Sequence, residues 1–210
     1  LLPYYYTIKQ DGTYEIEIKK SRFICSLYRI KDEDHAKEII AAVKKEHWKA
    51  NHNCSAYCLG ERQEIQRSSD DGEPSGTAGV PMLEVLKVKE LKDVLAVVTR
   101  YFGGTKLGAG GLIRAYSSSV SESLEHIGLV KGMLQQEIII TTDYPNHGKL
   151  KFFLQQENIT LLDTQFTDKV MLTIMIDEEE TTEVQAKIVN LLSNQCDISI
   201  GDVRYIEKDI

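Results

Sequence analysis

From Tyr14 to Lys19 apolar and charged residues alternate, with Tyr14, Ile16 and Ile18 set against Glu15, Glu17 and Lys19. A period of two marks a strand with one dry face and one wet face. A second strand is expected through Phe23-Ile-Cys-Ser-Leu27. From Asp32 to about Trp48 the period lengthens: Ala36, Ile39, Ile40, Val43 and His47 recur at helical spacing behind acids in the first turn, predicting a helix. A strand near Cys54 to Leu59, a polar stretch from Glu61 to Thr77 and a short helix over Pro81 to Leu91 follow. Val94-Leu-Ala-Val-Val98 is apolar throughout, as in a strand buried on both faces. Beyond a glycine-rich loop, Leu112, Tyr116, Val120, Leu124 and Ile127 form one apolar stripe on a helix expected to end near Lys131-Gly132.

The second half shows a regular alternation of elements. Strands are expected over Glu137 to Thr142, Ile159 to Phe166, Val170 to Ile176 and Ile198 to Ile206, with helices over Asn146 to Glu157 and Glu180 to Leu192. The order β-α-β-β-α-β is that of a ferredoxin-like domain. The mixed order before it speaks for α+β rather than a regular parallel sheet. The expectation is therefore an α+β chain of two domains, residues 1–133 and 134–210.

A length of 210 residues and a hydrophobic content of 42% suit such a soluble pair of cores. No apolar run approaches the roughly 20 residues of a membrane span, and the N-terminus lacks the basic and apolar regions of a secretory signal. A cytoplasmic protein without membrane contact is expected. Cys25, Cys54, Cys58 and Cys196 are few and scattered, which suits reduced thiols better than a disulfide framework. Charge divides the chain: residues 1–133 carry 19 Lys plus Arg against 18 Asp plus Glu, and residues 134–210 carry 6 against 14. An acidic second half repels a phosphate backbone, so nucleic-acid contact is expected from a local basic patch on the first. The acidic half itself is a candidate for docking a basic protein partner.

Candidate chemistry concentrates in two loops. Gly103, Gly104, Thr105, Lys106, Gly108, Gly110 and Gly111 lie between the buried strand and the long helix, flanked by Arg100 and Arg114. Strand, glycine loop and helix N-terminus in that order present free backbone N–H groups and positive dipole density to an anion. The same pattern also serves a tight reversal with close backbone packing. Both standard phosphate fingerprints fail. Ala109-Gly110 stands where a P-loop needs Lys and Ser or Thr, and Ile113 stands at the third glycine of a dinucleotide motif.

The second loop holds Asp70, Asp71, Glu73, Ser75 and Thr77, suited either to a hard cation or partner or to turn hydrogen bonds. The calcium-loop spacing is not met. His52 and Cys54, two apart on a strand, point to one face as a nucleophile pair would, or as a strand entry with a small buried cysteine does. Zinc ligation by Cys54 and Cys58 with His47 and His52 lacks a second paired knuckle. No metal, cofactor or catalytic residue is assigned.

Four blocks in order, Ser21-Arg-Phe-Ile24, Asn51-His-Asn-Cys-Ser-Ala-Tyr57, Asp70 to Pro81 and Arg100 to Tyr116, resemble the signature blocks of the YigZ and IMPACT family. The resemblance implies an N-terminal domain like one in a small-subunit ribosomal protein, in EF-G and in GHMP kinases, whose glycine-rich helix N-terminus holds nucleotide phosphate. It implies a C-terminal ferredoxin-like domain similar to another in EF-G. Eukaryotic IMPACT members regulate translation by interfering with activation of an initiation-factor kinase, through a further N-terminal domain without a counterpart in these 210 residues. The kinase role is accordingly not expected of them. Together, residues and resemblance predict a non-enzymatic protein associated with RNA or the ribosome. Arg22, Arg100, Lys106 and Arg114 would surround the glycine loop, with His52 and the Asp70 to Thr77 loop as a second element. The alternative is a phosphate- or nucleotide-binding enzyme using the same glycine loop.

Overall fold

The computed structural model describes residues 1–210. The chain forms two compact units, Tyr5–Lys131 with Lys208–Ile210, and Gly132–Glu207 with Leu1–Tyr4. Both are mixed α+β.

The first unit is built on an antiparallel five-stranded sheet of order β2-β3-β6-β4-β5. Its strands are β2 (Gly12–Ile18), β3 (Ser21–Arg29), β4 (His52–Leu59), β5 (Ile65–Ser69) and β6 (Val94–Tyr101). Helices α2 (Gly79–Val88) and α3 (Gly108–Ile127) cover one face, where Met82, Leu86, Tyr116 and Val120 meet Phe23, Cys25, Cys54, Ala56, Ala96 and Val98. Helix α1 (Glu33–Glu46) covers the other, setting Ala36 and Val43 against Tyr57, Leu59, Leu95 and Val97. Central β6 is thus dry on both sides, which is why residues 94–98 are apolar without alternation. Asp32 caps α1 by accepting from the His35 N–H at 2.7 Å.

Three local expectations need correction. The stretch Glu61 to Thr77 contains β5, an edge strand whose outer residues Arg67, Ser68 and Ser69 face water and so carry no apolar signal. The long helix ends at Ile127, not near Gly132, because Gly128 turns the backbone to a φ of 91°. Leu129 then opens β7 (Leu129–Thr142), in which alternate residues from Val130 onward are buried. Tyr4–Ile8, unassigned from sequence, is strand β1 beside β7, with the Lys9 N–H donating to the Gly128 carbonyl.

The second unit follows its expected order. Helices α4 (Tyr144–Gln156) and α5 (Thr181–Leu191) alternate with β8 (Thr160–Phe166), β9 (Val170–Asp177) and β10 (Cys196–Asp209). The sheet order β10-β7-β9-β8 is that of a ferredoxin-like domain. Its core joins Ile138, Ile140, Leu172 and Ile174 to Leu150, Leu154, Val184 and Ile188. No helix in the chain is long and apolar enough to cross a membrane.

Candidate functional site

Strand register gathers the site at one end of the first sheet. His52 of β4 and Phe23 of β3 both stand opposite Arg100 of β6. Arg100 is buried and does not act as the surface cation expected from sequence. Its Nη1 lies 2.7 Å from Glu73 Oε1, with the Glu73 side chain only 2% exposed. Tyr116, on α3, donates its hydroxyl to the same oxygen at 2.8 Å. His52 Nε2 lies 3.5 Å from it, while Nδ1 sits 2.8 Å from the Asp71 carbonyl. Nδ1 therefore carries a proton, and a hydrogen bond to Glu73 forms along Nε2 when the ring is the imidazolium. Burial and the neighbouring Cys54 and Glu73 push the Tyr116 hydroxyl far above its ordinary range, so it stays a donor.

Arg100 is held from the far side as well. Its Nη2 donates to Ser21 Oγ at 3.3 Å, and that hydroxyl receives the Gly103 N–H at 3.1 Å. Its Nε has no hydrogen-bond partner. The glycine loop thereby rests on the β2–β3 turn, and two sequence blocks 79 residues apart become one structure.

The three carboxylates of the acidic loop form no metal-binding cluster, because each is committed elsewhere. Asp70 accepts backbone N–H groups of Gly76 at 2.9 Å, Ala78 at 3.1 Å and Gly79 at 2.8 Å, capping the start of α2. Asp71 accepts the Asn53 N–H at 2.7 Å and pairs with Lys44 at 3.1 Å. Glu73 belongs to Arg100. Burial pushes the Asp70 carboxyl up, but its three backbone donors outweigh that and hold it below its ordinary value of 3.8. A lowered folded value contributes stability that is complete above the ordinary value and fades as pH falls through the folded one. Asp70→Asn should therefore cost about 1–2 kcal/mol at neutral pH. In urea unfolding, the gap from the unsubstituted protein should close below about pH 4.

Cys54 supplies no nucleophile beside His52. It is fully buried, its thiol donates to the Asp70 carbonyl at 3.0 Å, and burial pushes it up to about 12. The strand-entry reading of this pair is the one the geometry supports.

One cleft of ≈ 460 Å³ brings both loops together. Asn51, His52, Glu73, Pro74, Arg100, Phe102 and the Lys106–Ala109 start of α3 line it. Leu107 at the helix N-cap makes no side-chain capping bond, so the first-turn N–H groups of α3 face this space without a side-chain acceptor. Lys106, Thr105, Gly104 and Gly108 are exposed at the rim. Gly110 and Gly111 lie in the first turn, and Arg114 is exposed beyond it, outside the lining. Arg22 is also outside, pairing with Glu15 at 2.7 Å and lying over the Tyr101 ring. Ser75 is exposed and Thr77 buried, its hydroxyl turned to the Pro74 carbonyl.

Four residues of this arrangement were not singled out from sequence: Ser21, Asn51, Phe102 and Tyr116. Tyr116 read as one more core position of an amphipathic helix. Asn51 Oδ1 accepts the Phe102 N–H at 2.9 Å, tying the strand ends together. The available signal was Arg100 itself, since a cation ending a wholly apolar strand needs a buried partner.

The fold and cleft define a two-domain α+β protein, with a helix N-terminus that has no side-chain cap at the cleft of its first domain and a ferredoxin-like second. The family model described as the Impact N-terminal domain matches residues 19–124, and one described as a domain of unknown function (DUF1949) matches residues 140–195. The chain belongs to the IMPACT family. It is 49% identical over 210 residues to the IMPACT family member YvyE of Bacillus subtilis, covering all of this chain and 97% of that protein. It is 34% identical over 176 residues to the IMPACT family member YigZ of Escherichia coli, covering 83% and 86% of the two chains. A crystal structure described only as a hypothetical protein is similar with a TM-score of 0.60 at 30% identity, covering 94% of this chain and 97% of that one.

Proposed function

We propose that this chain is an RNA-binding protein acting in translation, and that the cleft of its first unit holds the RNA phosphate backbone. The observation that carries the reading is the meeting, in one cleft, of an uncapped helix N-terminus, the exposed Lys106 and a buried arginine with an unpartnered Nε. Helix N–H groups and a lysine together suit a phosphate. Charge supports the placement, because residues 134–210, with 6 basic against 14 acidic side chains, repel a polyanion. The translation setting rests on the resemblance to IMPACT proteins.

A salt-titrated binding assay with single-stranded RNA tests the reading. Lys106→Ala should weaken binding at every sequence and lower the slope of log affinity against log salt by about 1. Arg22→Ala, which removes a cation already paired with Glu15, should change both much less. Undetectable binding at low salt, or equal effects of the two substitutions, would overturn the assignment.

A further inference from the structure

We infer that the cleft admits one unpaired ribonucleotide at a time, with Glu73 accepting a hydrogen bond from its ribose 2′-hydroxyl. This deepens the RNA reading above and rests on it.

The starting point is an asymmetry in one carboxylate. Arg100 Nη1, Tyr116 Oη and His52 Nε2 all converge on Glu73 Oε1, at 2.7, 2.8 and 3.5 Å. No hydrogen bond reaches Oε2. The side chain is 2% exposed, yet Glu73 forms part of the cleft wall. A carboxylate oxygen on the cleft wall with no donor in the protein is free to accept one from a ligand group. The oxygen repels a phosphate and calls for a hydrogen-bond donor on the ligand.

The remaining walls say what that donor is attached to. The α3 N-terminus and Lys106 suit a phosphate. Phe102 is 46% exposed on the same cleft, with the Arg100 guanidinium 5.6 Å from its ring centre, and offers a face on which a base can stack. Phosphate and base being placed, the sugar is left for Glu73. Within an RNA chain the 3′-oxygen is esterified, so the 2′-hydroxyl is the only donor the ribose retains. That group distinguishes RNA from DNA. A volume of ≈ 460 Å³ suits one nucleotide, and a base laid on Phe102 has left its own stack, as in a single strand.

The acceptor is also held in place before any ligand arrives. Ser21 fixes Arg100, the Gly103 N–H fixes Ser21, and the Asp71 carbonyl fixes His52, so the carboxylate cannot turn Oε2 away without breaking contacts to three residues. Such pre-organisation makes the hydroxyl contact count toward affinity.

The test changes the ligand and leaves the protein intact. Fluorescence anisotropy at fixed low salt compares a short single-stranded RNA with its 2′-deoxy and 2′-fluoro versions and with the duplex. The 2′-fluoro sugar keeps the ribose pucker and lacks the donor. RNA should bind about tenfold more tightly than either analogue, and more tightly than the duplex. Equal affinity for RNA and the 2′-fluoro strand, with both weakened by Lys106→Ala, overturns the ribose assignment and leaves the phosphate reading standing. Duplex binding equal to that of the single strand overturns the one-nucleotide claim. Undetectable binding of every strand overturns both readings together.

Discussion

Replacing Glu73 with Ala should destabilise the chain by about 3–5 kcal/mol in urea unfolding at pH 7. The loss is that large because Arg100 remains behind, 5% exposed and without its carboxylate, while Tyr116 Oη loses its acceptor. The cost is mainly the desolvation of an uncompensated guanidinium, not the attraction of the pair. A second substitution separates the two. In Glu73→Leu with Arg100→Met no buried charge remains, and the double variant should be more stable than Glu73→Leu alone. Destabilisation below about 1 kcal/mol for Glu73→Ala is the value of a solvated surface pair, and would mean that the cluster is open to water.

Gly103→Ala should be nearly as damaging, by a different route. A Cβ at this position would lie 2.0 Å from the Lys20 carbonyl carbon and 2.1 Å from its oxygen, a collision with backbone that no rotamer relieves. The loop must move off the β2–β3 turn, at a cost of about 3 kcal/mol. Moving it also breaks the Gly103 N–H contact to Ser21, and with it the far-side support of Arg100. RNA affinity should therefore fall along with stability. Gly148→Ala is the matching control. It lies in α4 with nothing within 4 Å of the added methyl, and should gain about 0.5–1 kcal/mol from helix propensity. A Gly103→Ala protein as stable as the original would mean that the loop does not rest on Lys20.

The fold was largely legible because its core positions are periodic. Ile16 and Ile18 alternate along β2, the run Val94 to Val98 marks the strand between two helical layers, and the stripe Leu112 to Ile127 follows α3 turn by turn. Strand β5 was missed because an edge strand pairs through its backbone while Arg67 and Ser68 face water. The end of α3 was misplaced because Leu129 and Val130 continue the apolar character, and only the backbone of Gly128 records the stop.

The candidate site was legible in composition and not in connection. Its two loops stood out through glycine and acidic content. Nothing local shows that Glu73 finds Arg100, 27 residues on, and Tyr116, 43 residues on. Those pairings follow from strand register and from α3 packing across the sheet, and they make Arg100 the buried partner of a carboxylate on the cleft wall, not a free surface cation. Arg114 was grouped with the loop by proximity in sequence and Arg22 as the cation of another signature block, whereas the cleft is walled by residues near in space.

Binding as proposed places single-stranded RNA in the cleft of the first unit. The most direct measurement is an NMR titration of the ¹⁵N-labelled chain with a short single-stranded RNA, following backbone amide shifts. The largest changes should fall on Lys106 to Gly111, Phe102 and His52, with residues 134–210 largely unmoved. Shifts centred on residues 134–210, or on a surface of the first unit away from the α3 N-terminus, would contradict it.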